Sequence, residues 1–347
     1  MKFFSFEEKS YLGIDLGRGS IKLVELKDEK GKPRLVTYAY AEKGFDFVKS
    51  DSKSDMESAA YLLKELLQKS KADTTQVIAS LPGFSVFSSV INLPSMPEKD
   101  LISAIHWEAK KFIPMPIEEV VLDWKTLKTF EDKKEETNFK ILLTAAPRNL
   151  VKKYLEIFRI AGLELLSLET ESFALSRSLV GNDPSTIMIC NLGAKVSDAV
   201  IVEKGIPVLN RSFNLGGETI TNAIASNLNI DYKRAEQFKM DIGLGSSADG
   251  VIPKVIEEVL TSVIDEIDYT IDLYHNQSQG KIEKIILTGG SAFLPNLASY
   301  FSKVTNLTTI VGNPWSKIVY PLELEPILEE LGPRFSVSLG LALRELL

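Results

Sequence analysis

The chain has 347 residues, more than one ordinary hydrophobic core accommodates, so at least two domains are expected. Hydrophobic residues make up 44% and charged residues 25%, which excludes a disordered chain. The net charge is −7 and no basic stripe offsets it, which argues against a nucleic-acid surface.

The first ten residues, MKFFSFEEKS, break their apolar run too early for a secretion signal. No run approaches the ~18 apolar residues of a membrane span, so a cytoplasmic location is expected, with membrane association only through a partner. YLGIDLG and SIKLVEL alternate apolar and polar residues around a glycine turn, and RLVTYAYAE adds a third strand. DMESAAYLLKELLQKSK reads as an amphipathic helix with Ala59, Leu62, Leu63, Leu66 and Leu67 on one side. QVIASLP is a strand stopped by Pro82. The texture then changes. SVFSSVINL is a strand, EKDLISAIHWEAKKFIP a helix with an acidic start and a basic end, and VVLDWKTLKTF and FKILLTAAP are strands joined by the charged loop EDKKEETN. RNLVKKYLEIFRIAG is a helix ended by Gly162. Residues 84–165 thus read as an inserted β-α-β-β-α unit, followed by the strand LELLSLET.

From residue 186 the opening pattern returns in TIMICNLGAKVSDAVIVEKG. Sliding the chain by 176 positions puts Asp15 on Asn191, Leu16 on Leu192, Gly17 on Gly193 and Val24 on Val200, which reads as a duplicated lobe. The one cysteine, Cys190, lies in this run; it excludes an internal disulfide and reads as a small buried hydrophobe. GLGSSADG is a loop, VIPKVIEEVLTSVIDEIDYTIDLYHNQ a long helix, and KIEKIILTGGSAFLPNL a strand, a Gly-Gly turn and a helix start. His106 and His275 are far apart without ligand-like neighbours, so no zinc site is expected.

The chemistry-bearing stretches are turns. Gly17-Arg18-Gly19-Ser20 leads into a strand, whereas Rossmann and Walker loops lead into helices. Such a hairpin is either structural or an anion cradle, in which glycines admit a phosphate to the backbone, Ser20 adds a hydroxyl and Lys22 a point charge. Gly216 and Gly217 precede a helix and could offer N–H groups to an anion. Gly289-Gly290-Ser291 ends a strand where backbone could lie flat against a base. Glu236 and Lys239, three apart, are either an ordinary ion pair or a ligand contact.

Taken in order, GIDLGRGSIK, ETESFALSRSL, ICNLGAKVSD, LGGETIT, AEQFK and TGGSAFLPN resemble the actin-like ATPase superfamily. YLGIDLGRGSIKLVEL, HWEAKKFIPMPIEEVVLDW and LETESFALSRSL are similar to the PilM family of type IV pilus assembly proteins. The resemblance implies an α/β actin-like ATPase fold of two duplicated ribonuclease-H-like lobes with the FtsA/PilM-type inserted subdomain. The first lobe would be 1–83 and 166–185, the insertion 84–165 with the partner contact, and the second lobe 186–347. It implies Mg²⁺ and ATP in the cleft. Gly17, Gly19, Ser20, Lys22, Gly193, Ala194, Gly216 and Gly217 would hold phosphates. Glu236, Lys239, Gly289, Gly290, Ser291 and Phe293 would surround ribose and adenine. Asp15 would reach magnesium through water, Asn191 would stand at the second metal-facing position, and Glu171 would position water. Many members carry aspartate where this chain has Asn191. The amide keeps an oxygen but loses the charge, which favours binding over rapid hydrolysis.

The resemblance further implies a partner, the cytoplasmic tail of a PilN-like membrane protein, with other pilus assembly proteins or the assembly ATPase as further partners, and a peripheral place on the inner membrane. Leu93, Met96, Phe112, Ile113 and Met115 cluster at the Pro-punctuated turns of the insertion; they form either the tail site or a small satellite core. An ATP-binding adaptor is therefore expected. A small-molecule kinase and an FtsA-like filament-forming ATPase are the alternatives.

Overall fold

A computed structural model describes residues 9–42, 48, 50, 52–94, 96–127, 139–245, 250–278 and 280–347. The expected N-terminal stretch 1–8 and the charged loop EDKKEETN lie outside the described residues, as does part of GLGSSADG.

The first lobe starts with β1 (Ser10–Leu16), β2 (Ser20–Glu29), β3 (Lys32–Glu42), α1 (Lys53–Ser70) and β4 (Gln76–Leu81). The insertion supplies β5 (Phe87–Leu93), α2 (Glu98–Phe112), β6 (Val120–Leu127) and β7 (Phe139–Pro147). The chain returns through α3 (Arg148–Ala161) and β8 (Glu164–Thr170), and crosses between lobes on α4 (Glu171–Leu175), which continues as one π-helical turn, Ser176–Val180. The second lobe holds β9 (Thr186–Leu192), β10 (Ser197–Glu203), β11 (Ile206–Phe213), α5 (Gly217–Leu228), α6 (Tyr232–Ile242), α7 (Val251–Gln277), β12 (Lys284–Thr288), α8 (Leu297–Thr305) and β13 (Thr308–Val311). Two short helices, α9 (Glu325–Leu331) and α10 (Ser336–Ala342), close the described chain.

The two large sheets have the same topology, β3-β2-β1-β4-β8 and β11-β10-β9-β12-β13. In each, two hairpins are followed by two parallel strands. The 176-residue offset extends to an irregularity. The register slips between Glu25 and Leu26 in β2, and between Ile201 and Val202 in β10. A bulge adds a residue to one strand and sharpens the local twist, so its recurrence at one offset marks the lobes as copies. Both hairpins also turn on a Lys-Gly pair with positive φ, Lys30-Gly31 and Lys204-Gly205. Primed turns of this kind match the right-handed twist of the flanking strands.

Each sheet buries one face under its own helices. In the first lobe Leu12, Ile14 and Leu23 meet Ala59, Ala60, Leu63 and Leu66 of α1, as the helical period predicts. In the second, Met188, Ile201 and Leu287 meet α5 and α7. A third core, from Ile78 and Tyr11 to Ile187, Val200 and Val337, lies between the lobes around α4 and α10. The insertion carries its own three-stranded sheet, β5-β7-β6, with Ile105 and Ala109 of α2 and Ile113 just after it packed on the sheet.

The division of the chain expected from the sequence differs from this in two places. Helix α3 does not belong to the insertion core. Leu150, Tyr154, Ile157 and Phe158 pack against α1 and the first-lobe sheet, so the insertion proper is β-α-β-β. An amphipathic period fixes which face of a helix is buried, not which sheet it is buried against. The C-terminal stretch, expected in the second lobe, covers the outer face of the first. Trp315, Phe335, Leu339 and Leu343 pack on Val24, Leu26 and Leu35. Small residues permit this close return. A Cβ on Gly13 would stand 1.9 Å from the Ser338 carbonyl oxygen, and one on Gly340 2.0 Å from that of Ala174.

Candidate functional site

The β1–β2 and β9–β10 hairpins point their glycine turns at each other across the interlobe cleft. They meet so closely that a Cβ on Gly19 would lie 2.8 Å from the Ala194 methyl. The cleft holds about 350 Å³, within the range of small-molecule sites, and Gly17, Gly19, Ser20, Gly193, Ala194 and Lys195 line its waist. The α5 start lies directly behind the second turn. There the N–H groups expected to bind an anion are occupied. Gly217 donates to the Gly193 carbonyl and Glu218 to the Ala194 carbonyl, both at 2.9 Å. Gly217 still lines the cleft, whereas Gly216 does not. A Cβ on Gly216 would sit 2.5 Å from the Ala194 oxygen, so this glycine lets the helix approach the turn.

The floor is polar. In β1–β2, Asp15 stands opposite Lys22, whose ammonium donates to its carboxylate at 2.9 Å. In β9–β10, Asn191 stands opposite Asp198. Position 198 is position 22 moved by the same 176 residues. The second hairpin therefore does carry an acid on the cleft floor, displaced one strand from the place expected. Asp198 is buried, and burial raises its carboxyl to about 6, against hydrogen bonds from Ser212 and Asn191 that favour the charged form. Glu171, the first residue of α4, is half-buried beside it. Burial holds its carboxyl well above the ordinary range, reinforced by the charges of Asp198 and Asp15 and opposed by Lys22 and the Gly83 N–H. Gly83 belongs to the turn Gly83–Ser85 that leads into the insertion, and Phe84 of that turn lies under the Arg18 guanidinium, 5.5 Å from ring centre.

On the opposite side, Gly289, Gly290 and Ser291 line the cleft on a turn held at both ends. Gly289 has φ +86° and donates to the Pro333 carbonyl at 3.0 Å, and Ser291 donates to the Leu192 carbonyl at 3.1 Å. Lys239 is almost completely buried. Its ammonium donates to Glu236 at 2.7 Å, to Thr221 Oγ1 at 2.9 Å and to the Gly217 carbonyl at 3.2 Å, so it ties α6 to the α5 start at the cleft wall it lines. Glu236 lines the cleft directly. Phe293 does not line it and is 36% exposed. Arg334, stacked over Tyr40 at 5.7 Å, lines that side instead.

A family model described as type IV pilus assembly protein PilM matches residues 13–346. The chain belongs to the PilM family. Among solved structures, a PilM-PilN type IV pilus biogenesis complex is similar at 28% identity and a TM-score of 0.85, covering 97% of this chain and 98% of that one. The ethanolamine utilization protein EutJ from Carboxydothermus hydrogenoformans is 18% identical with a TM-score of 0.59, covering 96% and 89%. MreB5 of Spiroplasma citri, bound to ADP, is 17% identical with a TM-score of 0.55, covering 96% and 94%. At these identities the last two share the fold alone, which is the actin-like ATPase fold.

For this PilM family member the five expected partner-contact residues divide. Leu93 and Ile113 are buried in the insertion core, and Met96 packs partly against it, so these three hold the subdomain together. Phe112 and Met115 are exposed, at 46% and 37%. Trp107 and Ile102, on the outer face of α2, are exposed at 69% and 52% and were not singled out by the sequence. Asp198, Lys195, Arg18 and Arg334 were also missed. The 176-residue offset carried on to Lys22 would have found Asp198. Among the described residues no helix is long and apolar enough to cross a membrane.

Proposed function

We propose that the chain is a nucleotide-binding adaptor of a type IV pilus inner-membrane assembly complex, gripping the cytoplasmic tail of a PilN-like membrane protein. The observation that carries this reading is the near-complete structural match to a PilM-PilN complex. The cleft supports the nucleotide part. Its opposed glycine turns, Lys22 and the polar floor suit a nucleoside triphosphate, with the Ser20 hydroxyl and turn backbone facing the phosphates. Asp15 would hold Mg²⁺ through water, with Asp198 the second acid near it, and the metal would supply charge neutralisation to the phosphates. The chain's own residues explain why turnover would be slow. Asn191 keeps a side-chain oxygen but cannot take a proton, so the second hairpin offers no base at that position. The membrane attachment in this reading is peripheral and depends on the partner.

The tail would lie extended beside the insertion, where Phe112 and Met115 offer apolar side chains. Fluorescence anisotropy of a labelled PilN-type tail peptide tests this. The parent should bind, and Phe112→Asp with Met115→Asp should weaken binding at least about tenfold without lowering the melting temperature. A parent that does not bind the tail refutes the adaptor reading. Binding left intact by the double variant moves the site elsewhere.

A further inference from the structure

The cations around the cleft are not equally committed. Lys22 is paired with Asp15 at 2.9 Å, and the buried Lys239 is committed to three hydrogen bonds. The Arg18 and Arg334 guanidinium groups lie over aromatic rings. Lys195 differs. Its ion-pair contact is with Glu218 at 4.0 Å, and the two side chains are 34% and 36% exposed. A pair this long and this exposed contributes little and leaves the ammonium mobile on its four-carbon stem. Yet Lys195 sits in the second glycine turn, next to Ala194, at the point where the two turns close on each other.

The floor beneath it lacks the acid expected at position 191, and Asp198 is held by Ser212 and Asn191. A polyphosphate entering the waist thus meets a turn with a loosely held positive charge, above a floor whose metal-attracting charge is reduced. We infer that Lys195 leaves Glu218 and contacts the phosphate tail of a nucleoside polyphosphate directly, taking over part of the charge neutralisation otherwise left to a divalent cation. This rests on the nucleotide reading above. Two consequences separate it from a surface lysine. Nucleotide binding should persist when divalent cations are chelated, and Lys195 should matter most under that condition, because a bound metal already neutralises the same oxygens. Glu218 competes with the phosphates for the ammonium, so removing its charge should act in the opposite direction.

The test is titration calorimetry of the full chain with ATP, in magnesium and in chelator. Lys195→Met should weaken binding about threefold or less with magnesium and about tenfold or more in chelator, the range of a lost charge-assisted hydrogen bond. Lys195→Arg should restore most of the loss, and Glu218→Gln should tighten binding in chelator. Equal losses for Lys195→Met in both conditions, or none in chelator, overturn the inference while leaving the nucleotide reading in place. A parent that binds no nucleotide in either condition overturns both. The exposure of Lys195 makes all three variants compatible with folding, which thermal melting verifies.

Discussion

Asp198→Asn should stabilise the protein near neutral pH. The carboxyl is buried among Asn191, Ser212 and Gly83, and its value rises from 3.8 to about 6, chiefly through burial. A carboxylic acid whose value is higher in the folded state holds its proton more tightly there than in the unfolded chain. Between about pH 4 and pH 6 the folded state therefore binds the extra proton, and stability falls as pH rises through this window. Above it the full cost applies, about two pH units or about 3 kcal/mol. The amide removes the charge and keeps an oxygen to accept from Ser212, so little hydrogen bonding is lost. Thermal melting of parent and variant at pH 7.5 and at pH 4.5 measures the effect. The variant should melt several degrees higher at pH 7.5, and the gap should shrink strongly at pH 4.5. A variant that melts below the parent at pH 7.5, or a gap equal at both values, refutes the argument that charge burial at this position opposes folding.

Lys22→Ala should weaken ATP binding by at least about 1 kcal/mol, and an unchanged affinity in a folded variant removes Lys22 from the site. Purified protein should hydrolyse ATP well below the ~1–100 s⁻¹ of typical kinases, which a coupled phosphate-release assay measures. Gly340→Ala should cost at least about 2 kcal/mol in denaturant unfolding, because the added methyl would collide with Ala174 backbone, 2.0 Å from its carbonyl oxygen. The Cys190 thiol is buried and pushed up to about 12, so thiol reagents should label it only as the protein unfolds; fast labelling under native conditions would contradict the packing of β9.

The succession of elements in the first lobe was legible because alternation and glycine turns are local signals, and the duplication because two hairpins share a short pattern; β11 and β13 of the second lobe were not read. What was not legible depends on contacts between distant residues. Nothing local to RNLVKKYLEIFRIAG says that its apolar face meets α1 rather than the insertion sheet. In the cleft, the turns were found by their glycines, but the use made of those glycines was not. Gly216 and Gly217 look like free helix-start donors in sequence, whereas their place behind Gly193 and Ala194 makes them close-approach positions. Lys239 looks like a ligand contact and does line the cleft, but its network with Thr221, which only the packing of α5 on α6 creates, could not be read. Leu93 and Ile113 show the same limit, since an apolar residue beside a proline reads equally as a core residue and as a contact residue.

The return of residues 315–343 onto the first lobe bears on the order in which the protein is made. Synthesis delivers β2 and β3 early in this stretch, but the face formed by Val24, Leu26 and Leu35 is covered by Trp315, Phe335 and Leu339, made far later in the chain. At about 5–20 residues per second, that apolar face waits some tens of seconds for its cover. The second-lobe sheet, begun later, waits less: one face is packed by α5 and α7, and the other meets Val337 and Leu341 in the core between the lobes. A chain interrupted near residue 313 would thus carry the inner cores of both lobes, with the outer face of the first and part of the core between the lobes still open.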